Sequence, residues 1–138
     1  MALGTAVMTL EGALPVEFLA PGDRILTRSG ARTLREVEVT VMQNARVLRI
    51  SQDTLGVDRP AEDMVVVPDQ PIAIRDWRAR ALFGTAQAMV PAARLADGEY
   101  IRAEVLAEVR LFTLRFDAEV LIYAGGLELA CAGVMVTA

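Results

Sequence analysis

Histidine and lysine are missing from this sequence of 138 residues, and all 14 basic side chains are arginine. Without histidine the commonest general base and the commonest metal ligand are unavailable. Without lysine there is neither a Schiff-base amine nor a phosphate-loop ammonium. The only serines are Ser29 and Ser51, and neither stands in a G-x-S-x-G elbow. A single cysteine, Cys131, excludes an internal disulfide and fits a reducing compartment. No apolar run is long enough to span a bilayer, and the start MALGTAVMTLEG has no basic n-region. A cytoplasmic location without membrane association is therefore expected. A formal net charge of −4 argues against nucleic acid, whose binding rests on phosphate neutralisation. No cofactor is expected.

Apolar residues, by contrast, make up 54% of the chain, enough for a well-filled core in one domain over residues 1–138. The surplus also predicts self-association, most simply as a homodimer. The organising stretch occurs twice. Pro15–Ile25 reads PVEFLAPGDRI and Pro91–Ile101 reads PAARLADGEYI, at an offset of 76. Pro15 meets Pro91, Leu19 meets Leu95, Ala20 meets Ala96, Gly22 meets Gly98, Asp23 meets Glu99 and Ile25 meets Ile101. Proline sets φ at a turn entry, leucine plugs the turn into a core, and glycine takes a conformation other residues resist. Two copies predict two similar halves facing each other.

Between and around the copies the signals are those of short strands. Ala6–Leu10 closes on a Glu11-Gly12 turn, and Arg24–Arg28 meets a hairpin signal at Ser29-Gly30. Leu34–Met42 alternates apolar with polar, placing Val37, Val39 and Val41 on one face. Ala45–Ile50 reads as a further strand and Ser51–Asp63 as an exposed polar loop. Met64–Val67, Ile72–Ile74, Ile101–Phe116, Glu119–Tyr123 and Leu127–Val136 complete the strands. Arg78–Met89 has helical propensity that Gly84 cuts, and reads as a short helical turn and loop. The whole predicts an all-β domain.

Taken in order, these pieces resemble the hedgehog/intein (Hint) domain, in the bacterial branch found as free-standing or C-terminal modules. The matching segments are Gly4-Thr5, PVEFLAPGDRILTRSG from Pro15, RVLRI from Arg46, DMVVVPDQ from Asp63, LFG from Leu82, MVPAARLADG from Met89 and LFTLRFDAEVLIYAGGL from Leu111. The resemblance implies a twisted β horseshoe with pseudo-two-fold internal duplication. It also implies a self-cleaving ancestor. Active members use a cysteine or serine heading the domain to attack the preceding carbonyl, and a histidine in a T-x-x-H motif to activate that amide. Here the nucleophile position falls at or before Met1, and the motif maps onto Val67-Pro68-Asp69-Gln70. A later strand that often carries histidines in this branch shows Thr113 and Glu119. The asparagine that ends a splicing intein is absent, since the only asparagine is Asn44 and the sequence closes Val136-Thr137-Ala138.

Val67, Asp69, Gln70, Thr113 and Glu119 are thus degenerate positions of an ancestral site, and the expectation is a non-catalytic binding or structural module. Two alternatives stand beside it: a self-cleaving domain whose nucleophile lies upstream, and an unrelated hydrolase using carboxylates in the old site. Other clusters read more plainly. Cys131 in its apolar strand is expected to be an inert buried thiol. Asp53, Asp58, Glu62, Asp63 and Asp69 fit no calcium-loop spacing and read as solvated acids, so no metal is expected. Asp117 and Glu119 read as a solvated edge rather than an acid–base pair. Arg75, Trp77, Arg78 and Arg80 form a possible partner surface, or a tryptophan packed on the domain edge under arginine stems.

Overall fold

The computed structural model describes residues 1–134. The chain opens with a hairpin of β1 (Ala6–Thr9) and β2 (Gly12–Pro15), closed through Leu10-Glu11 with Thr9 opposite Gly12. A 3₁₀ turn over Val16–Phe18 leads to β3 (Arg24–Thr27) and β4 (Gly30–Thr33), a second tight hairpin. β5 (Glu36–Ile50) follows, then β6 (Met64–Val66) and β7 (Pro71–Ile74). Helix α1 (Trp77–Phe83) is capped by the Asp76 side chain, which accepts from Arg78 N at 3.1 Å. It ends at Gly84, whose φ of 71° is the left-handed conformation glycine accepts at a helix end. β8 (Ala88–Pro91), a second 3₁₀ turn at Ala92–Leu95, β9 (Ile101–Arg115), β10 (Val120–Ala124) and β11 (Leu127–Cys131) complete the fold. The expected final strand ran to Val136; residues 135–138 lie outside the described part.

The strands form two antiparallel sheets. The larger has the order β2-β1-β3-β10-β11-β7-β8, with β4 on β3, and the smaller is β6-β5-β9. The β1–β2 and β7–β8 hairpins therefore occupy opposite ends of the large sheet. Each runs into proline, a 3₁₀ turn and a positive-φ glycine, so the duplication seen at the offset of 76 is a pseudo-two-fold relation in space. The plugs match: Val16 and Ala92, Leu19 and Leu95, Ile25 and Ile101 are all buried. With Val7, Ile72, Leu114, Phe116, Ile122, Leu127 and Leu129 they form the main core. Each fully buried aliphatic contributes about 1.5–3 kcal/mol of transfer free energy.

Two expectations change. The two strands read from Leu34–Met42 and Ala45–Ile50 are one strand, β5, paired with β9 from Glu36–Arg115 to Ile50–Ile101 without a change of register. Asn44 sits between them at φ 49°, a left-handed bend that asparagine tolerates. Val37, Val39 and Val41 alternate along β5 with Glu36, Glu38 and Thr40. Val37 is half-buried against the main core, but Val39 is 52% and Val41 48% exposed. The loop Ser51–Asp63 is exposed or half-buried except at Leu55 and Pro60, which are buried. Ala61 N donates to Gly125 O at 2.9 Å, and a Cβ on Gly126 would lie 2.0 Å from Asp58 O, so the β10–β11 turn needs glycine there.

Candidate functional site

Val67, Asp69, Gln70 and Thr113 line one cavity of about 320 Å³ together with Met1 and Cys131. The sequence puts these groups 130 residues apart. Strand pairing brings them together. Met1 N donates to Phe112 O at 3.0 Å and Phe112 N returns a bond to Met1 O at 2.7 Å, so the head of the chain lies along β9. Ala2 bridges Leu111 beside it. The Met1 side chain is buried in the main core.

Gln70 occupies the turn between β6 and β7, and the second copy of the repeat holds that turn in place. Ala92 N donates to Gln70 O at 2.9 Å and Ala93 N to Pro68 O at 2.8 Å. Within the turn Gln70 N donates to Val67 O at 3.1 Å. The Gln70 side chain then crosses to the neighbouring strand: Nε2 donates to Ala130 O and to Pro71 O, both at 3.0 Å. A primary amide has two N–H donors, and both are committed to the chain's own carbonyls.

Cys131, read from the sequence as a buried thiol in an apolar strand, also lies at the cleft beside the Met1 amine. Burial pushes its thiol pKa up to about 12, and the nearby ammonium only partly opposes that. Near neutral pH it is a thiol rather than a nucleophilic thiolate. Burial likewise pulls the Met1 amine below its ordinary range, against the pull of Cys131. The only sequence signal for this juxtaposition would have been the pairing of the chain head with β9, which no local pattern announces.

Two other groups are dispersed. Glu119 is exposed at the β9–β10 connection and does not line the cleft, because that connection lies beyond the end of β9. Its neighbour Asp117 pairs with Arg35 at 2.8 Å, both exposed. The arginine–tryptophan cluster is also split. Arg78 is buried, not a surface group; it donates to Asp76 and to Thr54 O at 3.2 Å, and its guanidinium stands 4.6 Å from the centre of the Trp77 ring. Arg75 is held by the buried Glu128, which Arg28 Nε also reaches at 2.8 Å. Trp77, 68% exposed, and Arg80 remain outward. The loop acids serve the backbone: Asp53 accepts from Asp58 N at 2.7 Å and Asp63 from Gln52 N at 2.8 Å.

An all-β horseshoe with two related halves, its head strapped along a long strand beside the β6–β7 turn, is the architecture of a Hint domain. The Hint domain family model matches residues 1–131, and the chain belongs to that family. Among solved structures it is similar to a bacterial intein-like domain from Clostridium thermocellum, with 17% identity, 96% of each chain covered and a TM-score of 0.63. The gp41-1 intein matches with 17% identity over 93% of this chain and 94% of that one, TM-score 0.61. The MchDnaB-1 intein does so with 17% identity over 93% and 97%, TM-score 0.58. At such identities the likeness concerns the fold alone. No curated protein matches.

Proposed function

We propose that this Hint domain has lost the family's self-cleaving chemistry and serves as a binding or structural module. The observation that carries the reading is the Gln70 amide, whose two N–H groups are both held by Pro71 O and Ala130 O. Activating a peptide bond requires a donor aimed at the developing charge, and proton transfer requires a group that titrates near working pH. Glutamine at this turn does neither: it works as a strut between the β6–β7 turn and β11. Losing a positioned acid–base costs about two to four orders of magnitude in rate. Met1 lines the cleft and Ala2 follows it along β9, and neither carries a thiol or hydroxyl; the Cys131 thiol is held protonated.

A reporter protein fused ahead of residue 1 tests this reading. The fusion stays intact during incubation with dithiothreitol or hydroxylamine, and thiol-dependent release of free reporter overturns the proposal. Met1→Cys with Gln70→His, which returns a thiol and a titratable donor to the cleft, releases reporter slowly. A second reading, a self-cleaving domain with its nucleophile upstream, is favoured by the cavity of about 320 Å³ that stays open beside Met1. Cleavage of a precursor carrying the native upstream residues, under the same reagents, would establish it.

A further inference from the structure

Phe112 exchanges both backbone hydrogen bonds with Met1, at 2.7 and 3.0 Å. In an antiparallel ladder a residue that bonds a neighbour on one side has no groups left for the other. Phe112 therefore turns its N–H and C=O away from β5, and its neighbours Leu111 and Thr113 face it. Their register partners on β5 are Thr40 and Glu38. The intervening residues Val37, Val39 and Val41 direct their N–H and C=O to the opposite edge of β5. Among the described residues nothing pairs with that edge before Leu48, where β6 begins to cover it.

An open edge of this length is a template for another strand, and natural sheets blunt such edges with lysine, proline or inward charge. Glu36–Gln43 contains no lysine, proline or glycine, and it exposes Val39, Val41 and Met42. Its two acids stand at one end, beside Arg115 of the same chain at 3.7 and 2.7 Å. Arg46, past the bend at Asn44, is exposed and makes no ion pair among the described residues.

We propose that the open edge of β5, Glu36–Gln43, pairs antiparallel with the same edge of a second copy of this chain, about a two-fold axis at Thr40. Outward-directed groups then meet outward-directed groups: Val39 lies opposite Val41 of the second copy, and Val37 opposite Gln43 of the second copy. Charge selects the direction. A parallel pairing would set Glu36 and Glu38 against their own duplicates, whereas the antiparallel one sends each acidic end towards Arg46 of the second copy. The bonded edge supplies affinity as in other strand additions. This inference stands independently of whether the cleft is active.

Sedimentation of the whole chain over a wide concentration range reads the association directly. The expected result is a monomer–dimer equilibrium that Val41→Pro weakens at least about tenfold, since it removes an outward N–H and leaves the bonds to β9 in place. Val39→Lys, at a solvent-exposed site that folding tolerates, has the same effect. Val57→Lys, on a residue 86% exposed in the loop before β6, changes nothing. Hydrogen exchange adds a pattern: the amides of Val39 and Val41 gain protection as concentration rises, while those of Glu38 and Thr40 are protected throughout. A monomer at every concentration, or a dimer that survives both edge substitutions, overturns the proposal.

Discussion

In the first copy of the repeated turn the clasp comes from outside it, from the residue that follows β4: Gly22 N donates to Leu34 O and Leu34 N to Asp23 O, both at 2.8 Å. In the second copy the clasp is local. Asp97 accepts from the backbone N–H of Glu99, Tyr100 and Ile101 at 2.8, 2.8 and 2.9 Å, and its own N donates to Ile101 O at 3.0 Å. The entries are nonetheless alike, with Pro15 at φ −57°, ψ 140° and Pro91 at φ −57°, ψ 135°. So is the bond just beyond: Val16 N to Thr5 O at 2.8 Å, Ala92 N to Gln70 O at 2.9 Å. The same element thus grips Thr5 in one half and the cleft turn in the other. What duplication preserves is the backbone path and the plug; the fastening is free to change when the surroundings do. In the first half β3 turns straight back as β4, so the residue after β4 is at hand to hold the turn. In the second half the chain leaves along the 15-residue β9, and a side chain within the turn takes over.

The largest test of the comparison is the plug. Leu19 and Leu95 are 6% and 4% exposed. Leu19→Ala and Leu95→Ala are each expected to cost about 2–5 kcal/mol in denaturant unfolding, with the two values close to each other. Widely unequal values would show that the halves are alike in path only. A smaller, deliberately unequal effect comes from the carboxylates. Asp97→Ala strands three N–H groups and is expected to cost about 1–2 kcal/mol, in the range of a lost helix cap. Asp23→Ala removes a single bond, to Ala20 N at 2.9 Å, and is expected to cost a few tenths to about 1 kcal/mol. Equal costs would refute the distinction between a local clasp and one from outside the turn.

The limits of the sequence follow from the same contrast. The duplication was legible because the plug and the glycine recur at one offset. The clasp was not, since that offset pairs Asp23 with Glu99 and sets Asp97 against Pro21. Glu99 contributes only its backbone N–H, as a donor to Asp97. In β5, alternation shows correctly which residues share a face, but no local pattern reveals whether another layer covers that face, and Val39 and Val41 lie exposed. The polar pair Gln43-Asn44 looked like a break between strands because the bend at Asn44 leaves no trace in the register. Of the site, Val67, Asp69, Gln70 and Thr113 were placed through family resemblance. Cys131 was missed as a cleft residue because its nearness to Met1 depends on pairing between chain segments far apart in sequence. The exposure of Glu119 shows that matching a motif locates a segment more reliably than each side chain within it.

The smallest expected effect reads the second clasp by pH. Desolvation alone would raise the Asp97 pKa, but the N–H groups of Ile101, Glu99 and Tyr100, aided by Arg78, together hold it below its ordinary value of 3.8. A carboxyl whose pKa is lower in the folded than in the unfolded chain stabilises the fold above the unfolded value, and that contribution is lost as pH falls through the folded one. Asp97→Asn keeps an acceptor oxygen in place and removes the charge. The variant should therefore be slightly less stable than the parent at neutral pH, and the gap should close below about pH 4. Because the turn is exposed, solvent screening keeps the gap small, and it is best read as a difference between paired unfolding curves. A pH-independent gap at Asp97 would mean that the turn needs the shape of the acceptor rather than its charge.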